Sequence, residues 1–134
     1  MPDIAVMTLL RAESTVTTVA TGKIRCGMLD EHDADRSIVI QRMTDTPLTH
    51  SKGADGTKFA TLEILCIATD YGTAETIADT VCDVLADWTA GSGSADDAIT
   101  AISLLGTNYE PGPPLPGRDK LREMFVVRCQ VDYS

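Results

Sequence analysis

The chain has 134 residues, enough for one domain with its own apolar core. Apolar residues make up 43% and charged residues 23%, an ordinary globular balance, while aromatics reach only 4%, so the core is expected to be aliphatic. A formal net charge of -9 argues against gripping or reading nucleic acid, which needs a basic surface to release counterions. It leaves room for DNA that passes nearby without being held.

Asp3 to about Ala12 reads as a helix, with Val6, Leu9 and Leu10 on one side. The β-branched run from Thr15 to Val19 supports only a short further helical turn, ending near Gly22. Lys23 to Leu29 is a first strand, Asp30 to Arg36 a polar loop, and Ser37 to Met43 a second strand. A long polar insert follows from Thr44 to Thr57, with Pro47, Gly53 and Gly56. Connections this long are often functional, and it is expected to join two antiparallel strands as an extended hairpin.

Phe59 to Thr69 alternates as a third strand, with Ala60, Leu62, Ile64, Cys66 and Ala68 on one apolar face. The opposite face mixes Thr61, Glu63 and Thr69 with Leu65 and Ile67. Such a strand packs helices on its dry side and meets solvent or another subunit on the other. From Ala74 to Trp88 an amphipathic helix places Ala74, Ile77, Ala78, Val81, Val84, Leu85 and Trp88 on one stripe, with Thr73 as its expected N-cap. Gly91 to Ser94 ends it, and Ala98 to Leu105 is a weaker fourth strand. The Pro- and Gly-rich segment from Pro111 to Gly117 is expected to break regular structure before a last strand, Leu121 to Tyr133. The element order α-β-β-β-α-β-β implies an α+β fold of two layers. It is a mostly antiparallel mixed sheet of about five strands with helices packed on one face, in a single domain spanning 1-134.

The chemistry-bearing residues form no catalytic set. Asp30 to Asp35 holds four carboxylates and His32, but neighbours in a loop cannot all point inward, so a solvated acidic loop is the reading in preference to a metal site. Cys26, Cys66, Cys82 and Cys129 include no CxxC pair and read as buried or half-buried apolar residues in a reducing compartment. The Pro113 to Pro116 stretch contains PxxP, yet lies between two strands of one domain, where a stiff loop is the simpler reading than an SH3 ligand. No nucleophile elbow or phosphate-binding glycine loop is present, and Gly91 to Ser94 follows a helix instead of opening one. No metal or cofactor is expected. Nothing approaches the roughly 18 apolar residues of a membrane span, so no membrane partner is expected, and the protein is expected to be made in a cytoplasm.

The outer face of the second long helix is unusual. Glu75, Asp79, Asp83 and Asp87 stand four residues apart with no base among them. Like charges at this spacing cost roughly 0.2–0.5 kcal/mol per pair. A solvated face that keeps the protein soluble is the plain reading. The functional one is a face that meets cations or a basic partner, or lines a lumen through which another polyanion slides without sticking.

The segment Ile38 to Pro47, with sequence IVIQRMTDTP, resembles the second strand and turn of the phage tail-completion proteins related to the lambda-type tail terminator. The resemblance continues through Leu62 to Ala68, the Tyr71 junction, the helix ending in Asp87 and Trp88, and Asn108 to Pro111 before a long final strand. It spans nearly the whole chain, departing at the Gly91 to Ser94 loop and the Pro-rich loop. It implies a non-enzymatic virion protein at the tail-head junction. Such a protein forms a homohexameric ring with copies of itself, stops growth of the tail tube and makes the joint to the head. The implied partners are the tail tube protein and a head-completion or neck protein, with DNA passing through unread. Candidate interface or lumen residues are Glu75, Asp79, Asp83 and Asp87 on the helix, and Thr49, His50, Lys52 and Lys58 in or beside the insert. A head-closure or minor capsid protein is the nearest alternative. A small cytosolic α+β enzyme or ligand-binding domain is an alternative of a different class.

Overall fold

A computed structural model of the chain describes residues 2–30, 35–44, 58–88, 99–114 and 121–133. The elements are α1 (Pro2–Ala12), α2 (Ser14–Val19), β1 (Ile24–Cys26), β2 (Ser37–Thr44), β3 (Lys58–Ala68), α3 (Tyr71–Asp87), β4 (Ile99–Pro114) and β5 (Leu121–Tyr133). The five strands form one sheet in the order β1-β2-β3-β5-β4. β1 runs parallel to β2, and the other neighbours are antiparallel. This is the α+β architecture expected from the residue pattern.

The helices cover one sheet face. Ile38, Ile40, Leu62, Ile64, Cys66, Val127, Cys129 and Val131 meet Val6, Leu10, Val16, Ile77, Val81 and Leu85 in one buried cluster. The alternation in β3 and β5 and the 3.6-residue stripe of α3 are two halves of that core. The opposite sheet face divides along its length. One end is apolar and buried, with Val39, Leu65, Ile67, Met124 and Val126 against the half-buried Leu29. The other end is polar, where the Arg128 guanidinium donates to Glu63 at 3.1 Å and Gln130 donates to Asp132 at 3.1 Å.

Four details depart from the sequence reading. The N-cap of α3 is Asp70 in place of Thr73; its carboxylate accepts from the Thr73 backbone N–H at 3.0 Å and from the Thr73 hydroxyl at 3.2 Å. Both residues are N-cap formers, and the helix starts at the earlier one because Asp70 is already extended, with φ -117° and ψ 135°. At the far end Trp88 is also extended and lies outside the helix, as its C-cap. β1 is shorter than Lys23 to Leu29, since Gly27 at φ 136° turns the chain out of the ladder.

The largest departure is β4, which continues nine residues past Leu105 and through the first prolines. β4 is an edge strand, where a missing N–H costs no ladder bond if it faces outward. Register shifts at Ile99/Ala101, Leu104/Gly106 and Pro111/Pro114 accommodate the irregular sequence and also erase the alternation that would have marked the strand.

The antiparallel pairing of β2 with β3 fits a hairpin, but residues 45–57 of the insert lie outside the described residues, as do 31–34 of the acidic loop and 89–98 after α3.

Candidate assembly interface

Glu75, Asp79, Asp83 and Asp87 are all exposed on α3. They do not form a straight row. At ~100° per residue, each step of four advances by about 40° around the helix. Glu75 therefore lies close to the flank that carries Tyr71 and Cys82, and Cys82 reaches Thr107 of β4 at 3.6 Å. Asp83 and Asp87 have rotated to the other side, where they line an open groove with Leu9, Glu13, Thr15, Thr80, Val84 and Trp88. The carboxylates cross the helix diagonally, from the β4 edge to the α1–α2 side. Lys58 opens β3 opposite Tyr133. Thr49, His50 and Lys52 lie outside the described residues.

The structure brings forward a surface that the sequence pattern did not mark. β4 forms the sheet edge next to β5, and residues 103 to 111 are exposed throughout. Leu104 and Leu105 are exposed, Leu105 to 56%, and Tyr109 to 47%. Tyr109, Phe125 and Tyr71 pack as an aromatic trio with ring centroids 5.2 to 5.4 Å apart. The Tyr109 hydroxyl donates to the Glu123 carboxylate, which holds the phenol pKa above its ordinary value. Tyr and Trp are over-represented where partners bind, because a rigid ring gives large contact area at low entropic cost.

An exposed edge of this length is a template for pairing with another chain; natural edges are blunted with charge, proline or bulges, and β4 has prolines and bulges. It carries no Lys or Arg, and its only charged residue is Glu110. The residue signal was present in the Leu104-Leu105 pair, which breaks alternation. Its meaning depended on knowing that β4 is an edge.

A second exposed apolar group lies at the opposite sheet edge. Ile4 of α1, Met28 after β1 and Met43 of β2 are exposed, Met28 to 83%. Beside them Asp3, Gly27, Met28, Ile40, Gln41 and Arg42 line a shallow hollow. Arg42 faces Asp3 across 3.7 Å.

The two buried thiols are held in their neutral form. Burial pushes the Cys66 thiol far up and Cys129 to about 12, so neither forms a thiolate near neutral pH. Among the described residues no three His, Cys, Asp or Glu side chains gather in a way that could hold a metal ion, and no helix is long and apolar enough to cross a membrane.

No family model and no curated protein matches the chain. Among solved structures, it is similar to a chain from the virion of a native gene transfer agent particle. The two share 14% identity with a TM-score of 0.67, over 98% of this chain and 94% of that one. The likeness establishes a shared fold over nearly the full length of both chains.

Proposed function

We propose that this protein is a structural subunit of a phage-type virion. It assembles as a tail-completion ring on the end of the tail tube, stops tube growth and forms the joint to the head. The observation that carries the reading is the open β4 edge. It is sixteen residues long, lacks Lys and Arg, and presents Leu104, Leu105 and Tyr109 to solvent. Exposed apolar and aromatic side chains gathered along one edge favour a contact made by side chains. The virion setting is supported by the full-length fold likeness to a component of a gene transfer agent particle and by the resemblance of Ile38 to Pro47 and of α3 to the tail-completion proteins. The reading assigns the protein no catalytic role and no cofactor. The acidic α3 face suits a place near passing DNA, since like charge repels and prevents sticking.

The direct test adds purified protein to growing tail tubes and measures tube length and end occupancy by negative-stain microscopy. Capped tubes of arrested length are expected. Binding to the portal end instead of tubes would move the protein to a head-closure role, and binding to neither would remove the virion-joint reading.

A further inference from the structure

We infer that successive copies of this chain join head to tail, the β4 edge of one copy seating on the α1/β1–β2 edge of the next. This deepens the ring proposed above and rests on it. The described residues place exposed apolar side chains at both ends of the strand order β1-β2-β3-β5-β4. Tyr71, Leu104, Leu105 and Tyr109 stand at one end, and Ile4, Met28 and Met43 at the other.

The two patches are unlike in shape. On β4, Leu105 is the unpaired residue of a bulge, between Leu104 opposite Cys129 and Gly106 opposite Arg128. The bulge bends the strand and re-aims its side chains. The other edge offers a shallow, open hollow of about 460 Å³ lined by Asp3, Gly27, Met28, Ile40, Gln41 and Arg42. An irregular, side-chain-rich edge meets a concave one.

Charge decides between head-to-tail and two-fold pairing. At the β4 edge stand Glu75 on the near flank of α3 and Glu110 on β4 itself, and neither element carries a Lys or Arg. Around the other edge the chain holds Lys23, Arg25 and Arg42, with Asp30 following Leu29. The Arg11 guanidinium is fixed to this same strand, donating to the Ile24 carbonyl at 2.9 Å. Asp3, the carboxylate lining the hollow, is faced by Arg42. Pairing β4 with β4 would set two acidic edges against each other, whereas the head-to-tail contact sets acid against base. A contact between unlike surfaces repeats from copy to copy, and it closes into a ring when the rotation per copy divides the circle.

Two variants test the contact, Leu105→Glu at one edge and Met28→Glu at the other. Each puts a carboxylate into one apolar half-site and leaves the other half intact. Both positions are exposed, so circular dichroism and melting temperature should match the wild type. If either variant melts early, Leu105→Ala or Met28→Ala replaces it. Wild type should assemble in sedimentation velocity. Each variant alone should be monomeric, with association weakened about tenfold or more. Mixed in equal amounts they should form a dimer and stop, because one joint is intact and the other is spoiled on both sides. Assembly of either variant at wild-type strength overturns the interface while leaving the ring itself standing. Loss with Leu105→Glu but not Met28→Glu favours β4–β4 pairing and likewise overturns it. If wild type assembles only on tail tubes, capping is the readout, and each variant should lose it. Wild type that neither self-associates nor caps tubes overturns this interface and the proposed ring together.

Discussion

At the entrance to α3, Asp70 accepts two hydrogen bonds from Thr73, satisfying one of the helix's orphan N–H groups. Asp70→Ala should cost about 1 kcal/mol, read as a drop of roughly 3–5 °C in melting temperature. One strand earlier, Asp35 accepts from the Thr69 N–H at 2.7 Å and tethers the end of β3 to the loop before β2. Gly22 sits where a Cβ would come within 2.6 Å of the Asp35 carbonyl oxygen and 2.5 Å of the Ser37 hydroxyl. Its N–H donates to the Arg36 carbonyl at 3.0 Å, so the close approach seats β1 alongside β2. Gly22→Ala should therefore lower stability by roughly 1–3 kcal/mol, since backbone must shift to admit the methyl, as chemical denaturation will show. The buried Cys129 makes a pH prediction. Its folded pKa of about 12 exceeds the ordinary 9.0, so below pH 9 both states are protonated and stability is complete. As pH climbs from 9 toward 12 the unfolded thiol ionises first and stability falls, by roughly 1.4 kcal/mol per pH unit at most. Cys129→Ala should show a flatter alkaline decline in denaturation midpoint than wild type, even if its neutral-pH stability is lower.

Among the elements, α3 carries most of the contrast between packing and charge. Its buried stripe of Ala74, Ile77, Ala78, Val81 and Leu85 holds it to the sheet, while its exposed carboxylates repel one another. Asp79 has a like charge four residues away on both sides, Glu75 and Asp83. Asp79→Lys turns two repulsions into two attractions and should stabilise the fold by roughly 0.5–1 kcal/mol, an effect that added salt should erase. A stabilised Asp79→Lys would show that the acidic face is not required for folding and leave it to solubility or to a partner. β4 presents the complementary case. Its prolines and bulges make it a poor strand by pattern, yet it pairs with β5 from Ile99 to Pro114 because β5 is a long, regular template.

For the whole molecule, the two sheet edges differ in charge, and an assembly joined through them must be salt-sensitive. The Debye length shrinks from about 10 Å at 0.1 M salt to about 3 Å at 1 M. Association measured by sedimentation should weaken over that range, chiefly through slower encounter. An assembly that tightens steadily with salt would point to purely apolar contacts and away from the acid–base pairing of edges.

The residues alone determined the layers. Alternation in β3 and β5 and the helical stripe of α3 specify which faces meet, because a one-residue slip would expose an entire apolar set. They also pointed to the cysteines as small buried or half-buried packing residues, and the structure has Cys66 and Cys129 buried and Cys26 and Cys82 half-buried. The tertiary structure decided the order of strands, and with it which strand is an edge. That could not be read locally. The Leu104-Leu105 pair, Tyr109 and Met28 look like ordinary apolar residues in sequence, and they become candidate contacts only because the topology places β4 and β1 at opposite ends of one sheet with nothing further described beyond them. The carboxylates of α3 were visible as a row. Their diagonal course, from the β4 edge to the α1–α2 groove, emerged only when the packing of α3 gave the helix a fixed rotation against the sheet.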